Sequence, residues 1–164
     1  MFKPFLLALV LAAQAPSTAN RVGVVAGKVI PPGNRPVFGV QIILLPPDYV
    51  ERWNSEVQQR LDNYWEEFKP QFIRRKELFT EFTRLAYLDS TENILIAMRG
   101  ADQKAFQEYV HRSVDGQFEF RNVPFGTYKL LAVGQVGGQD YVWAERVEIN
   151  SSVPHYIQLK KTIP

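Results

Sequence analysis

Two histidines and no cysteine set the limits of any acid–base or metal chemistry in this 164-residue chain. His111 is followed three positions on by Val114, and His155 by Gln158. Neither opens the His-x-x-Glu pairing that a zinc peptidase needs to hold its metal and its base on one face. Without a thiolate, zinc would need carboxylates, and the spacing gathers none around either histidine. Gly-x-Ser-x-Gly and phosphate-cradling loops are absent. Asp115 and Asp140 fall in turn-forming stretches, where aspartate is favoured locally and calcium is not needed to explain it. The residue types therefore argue against catalysis and call for no metal and no cofactor.

The aromatic residues offer binding chemistry instead. Tyr141, Trp143 and Tyr156 could form a platform on which a sugar ring stacks. The competing reading is that Tyr141 and Trp143, at positions i and i+2, share a strand face and cover a core. Trp53, Trp65 and Phe68 recur at helical spacing and could be partner contacts or the seam between two helices. Tyr64 and Trp65 are adjacent, so they cannot both point inward. Tyr64, Trp65, Phe72 and Phe79 are the candidate partner-binding residues. Arg74-Arg75-Lys76 reads as a solvated basic patch near a helical tip rather than a lipid contact.

The elements that must position these residues are of two kinds. Val22–Ile30 and Val37–Leu45 are β-branched-rich strands, bounded by Pro31-Pro32-Gly33-Asn34 and Pro46-Pro47. Strands resume at Gln117–Arg121, Thr127–Val136, Tyr141–Ile149 and Val153–Leu159. A further strand is expected over Phe106–Ser113, paired to the next through the turn signal Asp115-Gly116. Phe118 and Phe120 alternate with Gln117, Glu119 and Arg121, which places two rings on one face. Pro124 and Gly126 fit a second turn, and Tyr128, Leu130 and Ala132 resume the alternation. About seven strands in this arrangement match a sandwich.

The middle of the chain, from Asp48 to about Lys104, reads as helix. Asp48 fits an N-cap, and Glu51 can complete a capping box. Trp53, Val57, Leu61, Tyr64, Trp65 and Phe68 form an apolar stripe that Pro70 is expected to end. A second run carries Phe72, Phe79, Phe82, Leu85, Leu95 and Ile96, with Gly100 as its C-cap. Asp89-Ser90-Thr91-Glu92 leaves open whether that helix is continuous. Two helices meeting near Pro70 make an antiparallel hairpin about 30–40 Å long.

Lys3 followed by the apolar run Phe5–Ala13 and then by small residues has the order of a secretory signal peptide, with cleavage expected after Ala19. The run is shorter than the roughly 20 residues that span a bilayer, so no stable membrane insertion is expected once it is removed. The address is exported, either periplasmic or extracellular. The rest of the chain is the size of one domain. Lys and Arg number 19 against 17 Asp and Glu, with one cation fewer once Lys3 is lost. So even a balance does not point to nucleic acid. With no disulfide available, the exported domain rests on its own core, for which a hydrophobic fraction of 46% suffices.

Gly27-Lys28-Val29, Arg35-Pro36-Val37-Phe38-Gly39-Val40-Gln41-Ile42, Asp115-Gly116-Gln117-Phe118-Glu119-Phe120 and Val123-Pro124-Phe125-Gly126-Thr127-Tyr128-Lys129-Leu130 together resemble the carboxypeptidase regulatory-like domain. The resemblance covers Val22–Pro47 and Ser113–Leu159. It implies a transthyretin-like, prealbumin-type β-sandwich of the exported bacterial kind, and it speaks to fold rather than to activity. The helical stretch stands where such domains carry a short connection. Related transthyretin-like hydrolases use a His/Arg constellation and a Tyr-Arg-Gly-Ser terminus. This chain closes on Lys160-Lys161-Thr162-Ile163-Pro164 instead.

The reading is thus a mainly β chain, a seven-stranded prealbumin-like sandwich interrupted by an antiparallel helical hairpin. Residues 1–19 are the signal peptide, 20–47 and 113–164 the sandwich, and 48–112 the hairpin insert plus a return strand. The expected function is non-catalytic protein binding through the hairpin, to a partner or to a second copy, with a cell-envelope assembly as one setting. The alternative is a carbohydrate-binding module using Tyr141, Trp143 and Tyr156.

Overall fold

Runs in which both neighbours of an apolar residue are also apolar mark strands covered on two faces. Ile42-Ile43-Leu44-Leu45 and Leu130-Leu131-Ala132 are such runs, and every one of these side chains is fully buried. The computed structural model describes residues 21–163, so the leader expected over residues 1–19 lies outside the described residues.

In chain order the elements are β1 (Val22–Val29), β2 (Phe38–Leu45), α1 (Pro47–Arg74), α2 (Lys76–Ala101), α3 (Gln103–Tyr109), β3 (Val110–Ser113), β4 (Gln117–Pro124), β5 (Gly126–Val136), β6 (Gln139–Ile149) and β7 (His155–Leu159). The strands form a three-stranded sheet, β4-β1-β7, and a four-stranded sheet, β3-β2-β5-β6. About 44% helix and 39% strand make this a mixed α/β fold rather than a mainly β one.

One hydrophobic cluster is shared by both sheets. Val25 and Phe120 come from the three-stranded sheet, and Ile42, Leu130 and Trp143 from the four-stranded one. A second cluster lies on the other face of the four-stranded sheet. There Trp53 and Val57 of α1 and Ile94 and Met98 of α2 cover Ile43, Leu45 and Leu131. The helices are therefore seated on the sheet by their proximal halves.

The alternation in β4 is interrupted once. Phe118 and Phe120 are buried, Arg121 and Asn122 are both exposed, and Val123 is buried again. Pairing with β1 shifts register at this point, and Asn122 takes φ 55°. The extra residue is a bulge that returns Val123 to the core face. The β5–β6 hairpin closes through Gly137 and Gly138, both at positive φ, the conformation that a two-residue loop of this hand requires.

Several expectations are corrected. Asp115-Gly116 does form a turn, but it does not join a hairpin: β3 pairs with β2, β4 pairs with β1, and the turn carries the chain from one sheet to the other. The Asp115 carboxylate accepts from the Gln117 backbone N–H at 3.1 Å, which holds the corner and keeps the acid below its usual pKa. Phe106 to Tyr109 is helix, not strand. Asp102 caps it by accepting from the Ala105 N–H, and the Arg99 guanidinium lies over the Phe106 ring. Helix α1 starts at Pro47 with Asp48 in its first turn, so the expected Asp48 N-cap is not formed. It runs through Pro70 and ends only at Arg74. Helix α2 is continuous through Asp89–Glu92 and passes Gly100. These extensions are why the helical share exceeds the mainly β expectation.

Candidate functional site

Contacts between α1 and α2 run in opposite order along the two helices, which fixes them as an antiparallel pair. Trp53 Nε1 donates to Thr91 Oγ1 at 3.1 Å, Arg60 Nη1 donates to Asp89 Oδ2 at 3.5 Å, Tyr64 meets Phe82, and Phe72 meets Phe79. The first of these belongs to the proximal half. Thr91 Oγ1 in turn donates to the Tyr87 carbonyl at 2.7 Å, and Tyr87 sits edge-on to the Trp53 ring. Lys129 Nζ lies 5.3 Å from the centroid of the Trp53 ring. Burial, and then the charge of Lys161, lower the Lys129 pKa.

A polar layer follows. Glu56 accepts from Arg60 and from Asn93, and Arg60 also reaches Asp89, so both helices are tied across one turn. These part-exposed ion pairs add little stability in water, but they fix how the two helices meet.

Beyond that layer the packing changes chemistry. Tyr64, Trp65, Phe68, Phe72, Phe79 and Phe82 form a cluster made only of aromatic rings, with centroids 5.0 to 6.1 Å apart. Edge-to-face and tilted pairs of this kind are favourable beyond their buried area. None of these residues belongs to either core cluster on the sheets. From Leu61 to Arg74 the distal half extends about 20 Å past the seated half.

The structure places the four candidate partner residues unequally. Phe72 is buried at the centre of the cluster, 3% exposed, and so cannot itself meet a partner. Tyr64 is half-buried against Phe82. Trp65 and Phe79 are 41% and 39% exposed and touch each other edge-on, so they present one surface. Lys69 Nζ lies 5.9 Å from the Trp65 ring centroid. Two further apolar residues were missed in the sequence: Ile73 at 65% and Leu85 at 45% exposure. The signal for Ile73 was present, because it adjoins Phe72 as Trp65 adjoins Tyr64, and one member of such a helical pair must face out. Arg74, Arg75 and Lys76 surround the break between the helices and are exposed.

The sugar-stacking alternative is corrected at one ring. Trp143 is fully buried in the shared core and donates Nε1–H to the Ile30 carbonyl at 3.2 Å. Tyr141 is half-buried beside it, as the i and i+2 spacing allowed. Tyr156 is exposed on β7, in the other sheet. The three rings do not form a common platform. Of the histidines, His111 stacks on Phe120 with centroids 4.5 Å apart, and His155 pairs with Val25 in the sheet. Among the described residues no three His, Asp or Glu side chains converge as metal ligands would. No helix among them is long and apolar enough to cross a membrane.

No known family model matches the chain, and neither a curated protein nor a solved structure matches it.

Proposed function

We propose that this chain is an exported, non-catalytic interaction module that binds a protein partner, or a second copy of itself, through the distal half of the α1–α2 hairpin. One observation carries the reading: Trp65, Ile73 and Phe79 stand in water at the end of an arm whose own interior is already filled by Phe72 and Phe82. Apolar surface left in water costs about 25 cal/mol per Å². A protein surface of matching shape removes that cost, and aromatic residues near cations are typical of such interfaces. Lys69 and Arg74 to Lys76 supply the cations at the rim.

The rest of the reading is of one piece with this. The core shared by the two sheets supports a prealbumin-type sandwich of the carboxypeptidase regulatory-like kind, with the hairpin as its insert. The leader read in residues 1–19 supports export to the periplasm or beyond, within reach of an envelope assembly.

The test is the double variant Trp65→Ser with Ile73→Ser. Its circular dichroism and melting curve should stay near those of the parent. Size-exclusion chromatography with light scattering, and capture of the partner by the purified mature protein, should show loss of association. A double variant that keeps the parent's oligomeric state and every partner overturns the proposal.

A further inference from the structure

A second exposed apolar feature lies at the start of β2, at the end of the strand away from the entry into α1. There the β1–β2 connection meets the corner between β3 and β4, joined by a bond from the Val29 N–H to the Gly116 carbonyl at 2.9 Å. Between them is a hollow of about 400 Å³. Its floor is Val29, Ile30 and Val37, with Pro31 and Pro36 as walls. Phe38 and Val114 form the rim and are 67% and 80% exposed, although each is large and apolar. The volume lies near the lower end of the roughly 300–1,000 Å³ typical of small-molecule sites.

The charges around the hollow are one-sided. Lys28 and Arg35 line it, and neither enters an ion pair or side-chain hydrogen bond among the described residues. The one carboxylate, Asp115, is turned to its own corner, accepting from Gln117 Nε2 at 2.7 Å and from Ser113 Oγ at 3.3 Å. The Arg35 guanidinium lies beside the β5–β6 turn, where a Cβ added at Gly137 would come within 2.9 Å of Nη1.

The geometry points to a binding site for a small amphipathic organic anion, with an apolar body of one ring or a short acyl chain over Ile30, Val37 and Phe38 and a carboxylate drawn to Lys28 and Arg35. A neutral molecule of the same shape leaves both cations unused, and a cation is repelled by them. Charge-assisted bonds are roughly twice as strong as neutral ones, so the carboxylate decides the affinity.

The probes are octanoate and 1-octanol, titrated into the full mature chain with methyl-resolved NMR. Octanoate should shift the Val29, Val37 and Val114 methyl signals in a saturable way, with 1-octanol weaker by roughly tenfold or more. Lys28→Ala with Arg35→Ala should erase that difference. Val114→Glu, at an exposed position that leaves the melting curve unchanged, should abolish octanoate binding. Equal affinity for the alcohol, shifts centred on another part of the chain, or no shift up to the solubility limit would each overturn the site. So would binding confined to an apolar peptide with a free C-terminal carboxylate.

Discussion

The two halves of one helical hairpin solve opposite problems with the same backbone. The proximal half ends a sheet's exposure: Trp53, Val57, Ile94 and Met98 sit on Ile43, Leu45 and Leu131, and all of these are buried. The distal half covers nothing but itself, and it does so mainly with rings, Phe72 at their centre. Aliphatic side chains around one tryptophan suit the first task, because they interdigitate with a pleated surface. Rings suit the second, because two helices without a third layer have little area to share and large flat side chains supply the most. The polar layer of Glu56, Arg60, Asp89 and Asn93 lies between the two regimes. The proximal half is thus part of the fold and the distal half is carried by it.

That contrast can be broken most severely by excision. Joining Leu45 to Val110 by a short linker removes the cover from Ile43, Leu45 and Leu131, at a cost on the order of 5 kcal/mol, comparable to a domain's whole stability. Urea unfolding of that variant should show no cooperative transition, or the protein should aggregate. Replacing only residues 62–86 by a tight turn should leave the transition in place. If the full excision unfolds like the parent, the proximal half is not core and the contrast fails.

Single substitutions sharpen the same boundary. Trp53→Ala removes a ring that is 2% exposed and bonded to Thr91, and should lower global stability by about 3–5 kcal/mol. Phe72→Ala empties an equally buried site, but one that can open locally. Hydrogen exchange should show protection lost over residues 62–86 while β5 keeps its own. Equal loss of protection in both regions would mean that the arm and the sheets unfold as one unit.

The smallest effect concerns the junction between α3 and the sheets. Tyr128 is buried and donates its hydroxyl to the Pro124 carbonyl at 2.9 Å. Burial first, and then the neighbouring Tyr109, push its pKa up from 10.0 to about 12. The folded state holds this proton more tightly than the unfolded chain does. Stability from this group is therefore full below pH 10 and falls as pH rises through the window from 10 to 12. Tyr128→Phe should flatten that part of the curve in a pH series of urea midpoints, and an unchanged slope would place the loss on other groups.

Much of this was legible in the residues. Strand positions followed from alternation and turn signals, and β5 and β6 lie within two residues of their expected limits. What escaped has physical causes. Asp115-Gly116 specifies a change of direction, and nothing local says which sheet receives the next strand. Pro70 forfeits one hydrogen bond and crowds one turn, yet it lies within five residues of the end of α1, where aromatic packing outweighs that penalty. Asp102 is a residue type that caps helices, and Phe106 and Tyr109 stand at helical i and i+3 spacing, but a segment of seven residues is too short for that period to declare itself. At the candidate surface, spacing showed that one of Tyr64 and Trp65 must face out. It could not show that Phe72 would be enclosed by four neighbouring rings, because that depends on where the second helix returns.

The strand β1 also has a consequence for the order in which the chain can assemble. Val25 pairs with Phe120 on one side and with His155 on the other, and the second of these ladders is parallel. The first described strand in chain order is thus the central strand of its sheet, and both of its neighbours follow only after β2, the three helices and β3. Closing loops of that length is slow compared with zipping two adjacent helices. Residues 47–101 should therefore form their hairpin early, while β1 stays unpaired and extended.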